Sequence, residues 1–349
     1  MKFRGRNHDA GRSAVSIQDV ADRANVSIAT VSRVLNNPDV VSPATAVRVR
    51  EVIRELGYVP NPFAQGLITR ESRVLCFALP DMYGEFYSEL IRGADAEAHA
   101  RNYHLLVSSD ARARPQTTAD QKAGLGLGLA DGLAIMITEP SVLEWQNAGD
   151  HSIPVVLIDV EINEKGVDCV LIDNAVGATE ATEHLIAGTR PEHLYFVGGP
   201  EENFDSKARA EAFTRTLAVA GYTVRPDQVV FGKYDLEWGS QWYVEYQARA
   251  RRDIKIGVLA ANDEIALGIL QAAEDAGVSA PESIRVVGFD DTRTASLVRP
   301  KLSSVRVPTM QVGAAAISLL AQRLEDPERA PTSMRLATVF MPRRSSQIL

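Results

Sequence analysis

The sequence predicts a small all-helical head followed by an α/β body of two doubly wound parallel-sheet lobes. Three observations predict it. Residues 16–36 carry two short apolar stripes at helical spacing on either side of a turn. From Arg73 onward, short apolar runs alternate with amphipathic segments, the pattern of strands joined by crossover helices. At 349 residues the chain exceeds one ordinary domain and suits two or three.

The head reads as three helices. Ser16 can cap the first, with Asp19 three residues on as an acidic variant of the capping box. Ile17, Val20, Ala21 and Ala24 then form one apolar stripe. Asn25 stands where the turn needs a residue that tolerates the left-handed region. Ser27 caps the second helix, whose Val31, Val34 and Leu35 point inward, leaving Ile28, Ala29, Ser32 and Arg33 outward and Thr30 near the start. This is a helix-turn-helix pattern, whose second helix fits the DNA major groove, although a plain helix pair in a core would show the same stripes. Ser42-Pro43 opens a third helix carrying Val49, Val52, Ile53 and Leu56, and Gly57 closes it. Residues 1–15, with Lys2, Arg4, Arg6 and Arg12, lack periodicity and are expected to form a disordered arm.

Charge is unevenly divided. The first seventy residues hold ten Lys/Arg and six Asp/Glu, while the rest hold 27 and 39, giving +4 and −12 within a net −8. Neutralising phosphates needs local positive charge and not a basic whole chain, so a DNA-binding head on an acidic body is compatible with this balance.

Asp19-Val20-Ala21, Ala24, Val26-Ser27 and Thr30-Val31-Ser32-Arg33-Val34-Leu35-Asn36 together resemble the DNA-binding signature of the lactose-repressor (LacI/GalR) family. On this reading Ile28, Ala29 and Arg33 meet base edges, while Ser16, Thr30, Ser32 and Asn36 anchor to phosphates and Ser27 lies at the DNA with them. The DNA-binding domain spans 16–59 and a linker follows at 60–72. Two prolines and a glycine make that linker a poor free helix. The resemblance implies instead a hinge helix formed with a dimer partner on the operator, with Asn61, Ala64 and Leu67 at its matching positions and Leu67 wedged into the minor groove. Gln65 stands where many members carry arginine, and Gly66 weakens the helix by about 1 kcal/mol relative to alanine.

The body, 73–349, shows nine strand-like runs: 74–79, 103–108, 133–137, 155–158, 169–172, 194–197, 228–231, 256–260 and 286–289. Nine strands suit two parallel sheets, and ligands of such sheets sit beyond the carboxyl ends of the strands. The resemblance implies the type I periplasmic-binding-protein-like fold. The chain would then cross between lobes near Asp173, Val307 and Ala330, with one lobe at 73–172 and 308–329 and the other at 173–307 and 330–349.

Polar and aromatic residues crowd these strand ends. Asp81, Tyr83 and Phe86 follow the first run, with Tyr87 beside them, and Asp159 follows the fourth. Asn203, Asp205 and Arg209 follow the sixth, Tyr234 the seventh, Asn262 the eighth and Asp290 the ninth. Carboxylates, amides and an arginine suit sugar hydroxyls, and aromatic faces suit the apolar side of a sugar ring. Asp159, Arg209, Tyr234, Asn262 and Asp290 match the effector-contacting positions of sugar-responsive family members. Asp263 is expected to be a helix N-cap and Trp242 a core residue.

Other chemistries find little support. Gly124-Leu-Gly-Leu-Gly lacks the spacing and context of a dinucleotide loop, and the six histidines form no catalytic or metal pattern. Cys76 and Cys169 lie in apolar runs without metal-ligand spacing, the usage of a reduced compartment. The basic start is followed by no apolar stretch of a secretory signal, and no run approaches the ~20 residues of a membrane span. The expectation is a cytoplasmic homodimeric repressor, not an enzyme, with no cofactor or metal. It would bind a near-palindromic double-stranded operator and a small polar effector, a sugar or polyol. A nucleobase effector is the main alternative, and a sugar-binding protein without regulatory role a lesser one.

Overall fold

Two six-stranded sheets, each threaded more than once by the same chain, form the body, and three short helices form the head. The computed structural model describes residues 15–58, 72–109, 130–138, 153–162, 166–249 and 254–348. The arm, the hinge positions Asn61, Ala64 and Leu67, and the glycines at 124–128 lie outside them.

The head and the body beginning at Arg73 are separate compact units. In the head, α1 (Ile17–Ala24), α2 (Ile28–Asn36) and α3 (Pro43–Leu56) bury Val20, Ala21, Ala24, Val31, Val34, Val49 and Val52 in one core. Local chemistry sets each end. The Ser16 and Asp19 side chains exchange hydrogen bonds with each other's backbone N–H, and Asn25 takes φ 51° to turn the chain. Ser27 and Ser42 accept from the Thr30 and Thr45 N–H groups, and Gly57 ends α3 at φ 65°.

In the body, β1 (Val74–Leu79), β2 (His104–Ser109), β3 (Gly132–Met136), β4 (Val155–Ile158) and β5 (Val167–Ile172) build the first lobe, with α4 (Glu85–Ala100) between β1 and β2. After α5 (Asn174–Ile186) come β6 (Leu194–Gly198), α6 (Phe204–Val219), β7 (Val229–Phe231), α7 (Leu236–Arg249), β8 (Ile256–Ala260), α8 (Asp263–Asp275), β9 (Ile284–Asp290), the short α9 (Arg293–Leu297) and β10 (Ser303–Arg306). The chain closes with α10 (Thr309–Glu325), β11 (Ser333–Leu336) and β12 (Val339–Met341). The sheet orders are β11-β5-β4-β3-β1-β2 and β12-β10-β9-β8-β6-β7, parallel except where β12 meets β10. Strands covered on both faces read as continuous apolar runs, and β1, β4 and β5 are buried along their whole length.

Two expectations need correction. Twelve strands stand among the described residues where nine are expected, because β10 and β11 carry too few apolar residues to announce themselves and β12, though apolar, is only three residues long. The third lobe crossing lies at residues 337–338, between β11 and β12, and not near Ala330. A buried ion cluster holds the intervening segment in the first lobe. Arg323 grips the fully buried Asp168 through two bonds, Thr332 N–H donates to the same carboxylate, and Arg323 reaches the Ala330 carbonyl. The crossings at 173 and 337–338 are then tied together, since Asp173 N–H donates to the Leu336 carbonyl and Thr338 Oγ1 to that of Asp173.

The α4–α10 pair of the first lobe packs backbone to backbone. A Cβ on Gly93 would overlap the Met310 carbonyl, and one on Gly313 the Leu90 carbonyl. Gly93→Ala is therefore expected to destabilise the body by about 1–3 kcal/mol, read as a lower urea midpoint. An unchanged midpoint would show that this helix pair can separate at no cost.

Candidate functional site

The head presents one polar face. Ile28, Ala29 and Arg33 are exposed along α2, Ile28 at 40% despite its apolar side chain. Thr30 and Ser32 are half-buried beside them, and the Asn36 side chain lies outside the described residues. The Ser16 and Ser27 hydroxyls are engaged as caps, Ser27 Oγ also lying 2.9 Å from Thr30 Oγ1. An exposed isoleucine at the helix start and an exposed arginine one and a half turns on have the chemistry for contact with base edges.

The second cluster lies in the body, where strands of both sheets end. Asp159 follows β4, Asn203 and Asp205 start α6 after β6, Asn262 follows β8, and Asp290 ends β9. The lobes touch here: Phe204 N–H donates to the Thr138 carbonyl at 3.0 Å, and Arg293 N–H to the Glu85 carboxylate. Backbone conformation marks the same place. Among the described residues, six non-glycines have positive φ, and three are Asp159 (67°), Asp290 (104°) and Asp291 (53°). Such strain persists only where the surroundings impose it, and it gathers at ligand sites.

Arg209 is the pivot. It is buried, lies 3.8 Å over the Phe289 ring, and donates from Nε to Asn174 Oδ1 at 2.8 Å and from a terminal nitrogen to the Ala261 carbonyl. Asn174 Nδ2 donates in turn to Asp205 Oδ1 at 2.7 Å. Both carboxylate oxygens of Asp159 are buried, with the Arg209 charge and the Ile172 backbone as the groups that favour the ionised form. Burial, then the charge of Asp205, raises Asp159 well above the ordinary carboxylate range, and burial does the same to Asp290. Tyr87 sits among these acids: burial first, then Asp205, Asp81, Asp290 and Asp159, push its hydroxyl upward.

The expected residues divide accordingly. Asp159, Asp205, Arg209, Tyr234 and Asp290 belong to one electrostatic cluster. Tyr234 donates to Asn203 Oδ1 at 2.9 Å, so both side chains are partly engaged with each other. Asn262 Oδ1 caps α8 by accepting from Ile265 N–H. That corrects the expectation for Asp263, which is the first helical residue and no cap. Instead it binds the Thr292 N–H and hydroxyl and the Ser304 hydroxyl, fixing the turn after Asp290. Tyr83 is 76% exposed, and Asp81 is exposed with one oxygen accepting from the Met82 and Tyr83 N–H groups. Phe86 lines a cavity of about 300 Å³ with Asp290, Arg306 and Met310. Trp242 is core, stacked on Tyr246.

Three members escaped the sequence reading. Asn174 and Phe289 read as an ordinary helix start and an ordinary strand residue, and Tyr87 reads as one more aromatic residue beside Asp81, Tyr83 and Phe86. Neighbouring charge across the lobes was the missing signal, and one sequence does not display it. Among the described residues, no three His, Cys, Asp or Glu gather as a metal set, and no helix is long and apolar enough to cross a membrane. Cys76 and Cys169 are buried free thiols, Cys76 pushed up to about 11 by burial.

Comparison with known proteins matches the same two parts. Residues 16–61 match bacterial regulatory proteins of the lacI family, and residues 182–346 match the periplasmic binding protein-like domain. Catabolite control protein A of Priestia megaterium is 32% identical over 88% of this chain and 92% of its own length. The transcriptional repressor CytR of Escherichia coli K12 is 30% identical over 90% of this chain and 91% of its own. Among solved structures, the regulator CelR in complex with cellobiose superposes with TM-score 0.70 at 27% identity, covering 95% of this chain and all of that one. The Lac repressor bound to ONPG shares the fold at TM-score 0.83 and 23% identity, covering 96% and 100%.

Proposed function

The chain belongs to the lacI family of bacterial regulatory proteins and is a DNA-binding transcriptional regulator, and from that premise we propose that it is a dimeric repressor controlled by a small polar effector held between the lobes. The observation that supports this most directly is the convergence of Asp159, Asp205, Arg209 and Asp290 from two different sheets around Tyr87. A ligand touching both lobes binds one lobe arrangement better than another, and so shifts their equilibrium. The Lac repressor dimer bound to operator and the cellobiose complex of CelR, together with a ribose-bound regulator from Enterococcus faecium, make a near-palindromic operator and a sugar or polyol the chemistry to test.

In this reading Ile28, Ala29 and Arg33 read bases while Ser16, Ser27, Thr30, Ser32 and Asn36 orient α2 on the backbone. The hinge carrying Asn61, Ala64 and Leu67 joins the two activities, and Leu67 bends the operator centre. The three crossings at 173, 306–309 and 337–338 let the lobes move, and coupling between cleft and operator is a free energy shared by both ligands. The protein works as a switch and not as an enzyme.

A thermal-shift screen of sugars, polyols, nucleobases and nucleosides on the full chain tests the effector class, since specific binding raises Tm by mass action. Asp290→Ala is expected to leave operator affinity within about twofold while abolishing the Tm shift and the effector's influence on DNA binding. A normal response in that variant would put the effector elsewhere, and a shift from nucleobases alone would replace the sugar.

A further inference from the structure

Beside the cleft, hydrogen bonds cross from lobe to lobe. Phe204 N–H, at the start of α6, donates to the Thr138 carbonyl. Arg293 N–H, the first of α9, donates to the carboxylate of half-buried Glu85, the residue that opens α4 in the first lobe. The second bond borders the cavity of about 300 Å³, walled by Phe86, Met310 and Gln311 of the first lobe and Asp291, Thr292 and Arg306 of the other. A close-packed interface resists opening over its whole area, whereas a contact beside a cavity yields when one bond breaks. Both ends of this bond are firmly mounted. Packing of α4 on α10 at Gly93 and Gly313 makes Glu85 move with its lobe. On the other side Thr292 gives its N–H and hydroxyl to buried Asp263, and Asp291 N–H goes to Ser304 Oγ. The turn so fixed carries Asp290, and the start of α4 carries Phe86 and Tyr87. The bond therefore joins the two elements that face each other across the cleft.

Resting on the reading of the cleft as the effector site, we propose that Glu85 is a lobe latch, a positioning residue whose bond to the Arg293 N–H sets how often the two walls of the cleft stand within reach of one ligand. The affinity of a ligand that needs both walls scales with the fraction of molecules in that arrangement. The latch therefore tunes the sensitivity of the switch without choosing its effector, and Glu85 acts without touching the effector. A single charge-assisted bond, partly exposed to water, moves such an equilibrium about three- to tenfold.

The bond can be cut from either end. Glu85→Ala removes the acceptor. Arg293→Pro removes the donor and keeps the helix, because the first helical position after Thr292 at ψ 158° is one that proline favours. Each variant, as the full chain with no sugar added, is expected to speed amide hydrogen exchange at Phe204 about three- to tenfold, read residue by residue, although neither substitution touches Phe204. Two amides bonded within single lobes should exchange as in the parent: Asp159 N–H, paired with the Val170 carbonyl, and Ala261 N–H, paired with that of Val197. The double variant should match the faster single one, since both substitutions remove the same bond. Unchanged exchange at Phe204 in both single variants overturns the latch, as does a double variant in which the two effects multiply. Equal acceleration at Phe204, Asp159 and Ala261 overturns it too, as a general loss of stability. The effector cleft is judged separately, by the Tm screen and Asp290→Ala, so failure of the latch leaves it standing.

Discussion

Arg33→Ala is expected to erase roughly ten- to a hundredfold of the preference for operator over scrambled DNA, the range a lost bidentate base contact gives. The side chain is exposed on α2, on the same outward face as Ile28 and Ala29 and away from buried Val31 and Val34. Its removal therefore takes nothing from the core of the head, and the helical circular dichroism should be unchanged. The effector-induced Tm shift of the body should be unchanged too. Titrating both duplexes at several salt concentrations separates the possible roles. A base-reading arginine loses discrimination while the salt slope holds, whereas a phosphate-bound one weakens both duplexes alike and lowers the slope by about one. The second outcome would move Arg33 from specificity to positioning.

The head was legible because its signals are local. Ser16, Asn25, Ser27, Pro43 and Gly57 each act on the next few backbone groups, and each stands in the structure with the capping or φ value its chemistry dictates. The buried strands of the body were legible for a similar reason, since runs such as Val155–Ile158 must be apolar on both faces. The late strands β10, β11 and β12 were not. β11 exposes Ser333, Met334 and Arg335 and owes its place to pairing with β5 and to the Asp168–Arg323 cluster, contacts that span more than 150 residues. The same distance hid the lobe crossing at 337–338. At the site, residue type pointed to Asp159, Arg209 and Asp290, but not to which groups the protein itself already uses. Asn262 and Asn203 are committed to capping helices, and Asn174, a plain helix start in the sequence, divides Arg209 from Asp205. Satisfaction of hydrogen bonds and depth of burial are properties of the assembled fold, which is why the sequence points to Asp159 without showing how deeply it is buried.

Asp263 is expected to make stability fall as pH rises, to an extent that Asp263→Asn removes. Its carboxylate is buried at the start of α8 and holds the Thr292 N–H and hydroxyl with one oxygen and the Ser304 hydroxyl with the other. The missing side chain of Gly288 makes room for that oxygen, since a Cβ there would collide with it. Burial outweighs these hydrogen bonds and raises the group from 3.8 to about 7. A carboxyl raised on folding binds its proton more tightly in the native state. Its contribution is complete below about pH 4 and is lost as pH climbs through 7, on the order of 4 kcal/mol across that interval. Asp159 and Asp290, raised by their own burial, slope the same way, so the measurement is the difference between two proteins and not one profile. Urea unfolding from pH 4 to 8 should show Asp263→Asn least stable relative to the parent at pH 4 and gaining steadily toward pH 8. Because the same carboxylate fixes the turn that carries Asp290, the variant should also bind effector more weakly throughout. A stability difference that stays constant with pH would mean that Asp263 remains ionised in the fold, and that its bonds to Thr292 and Ser304 outweigh its burial.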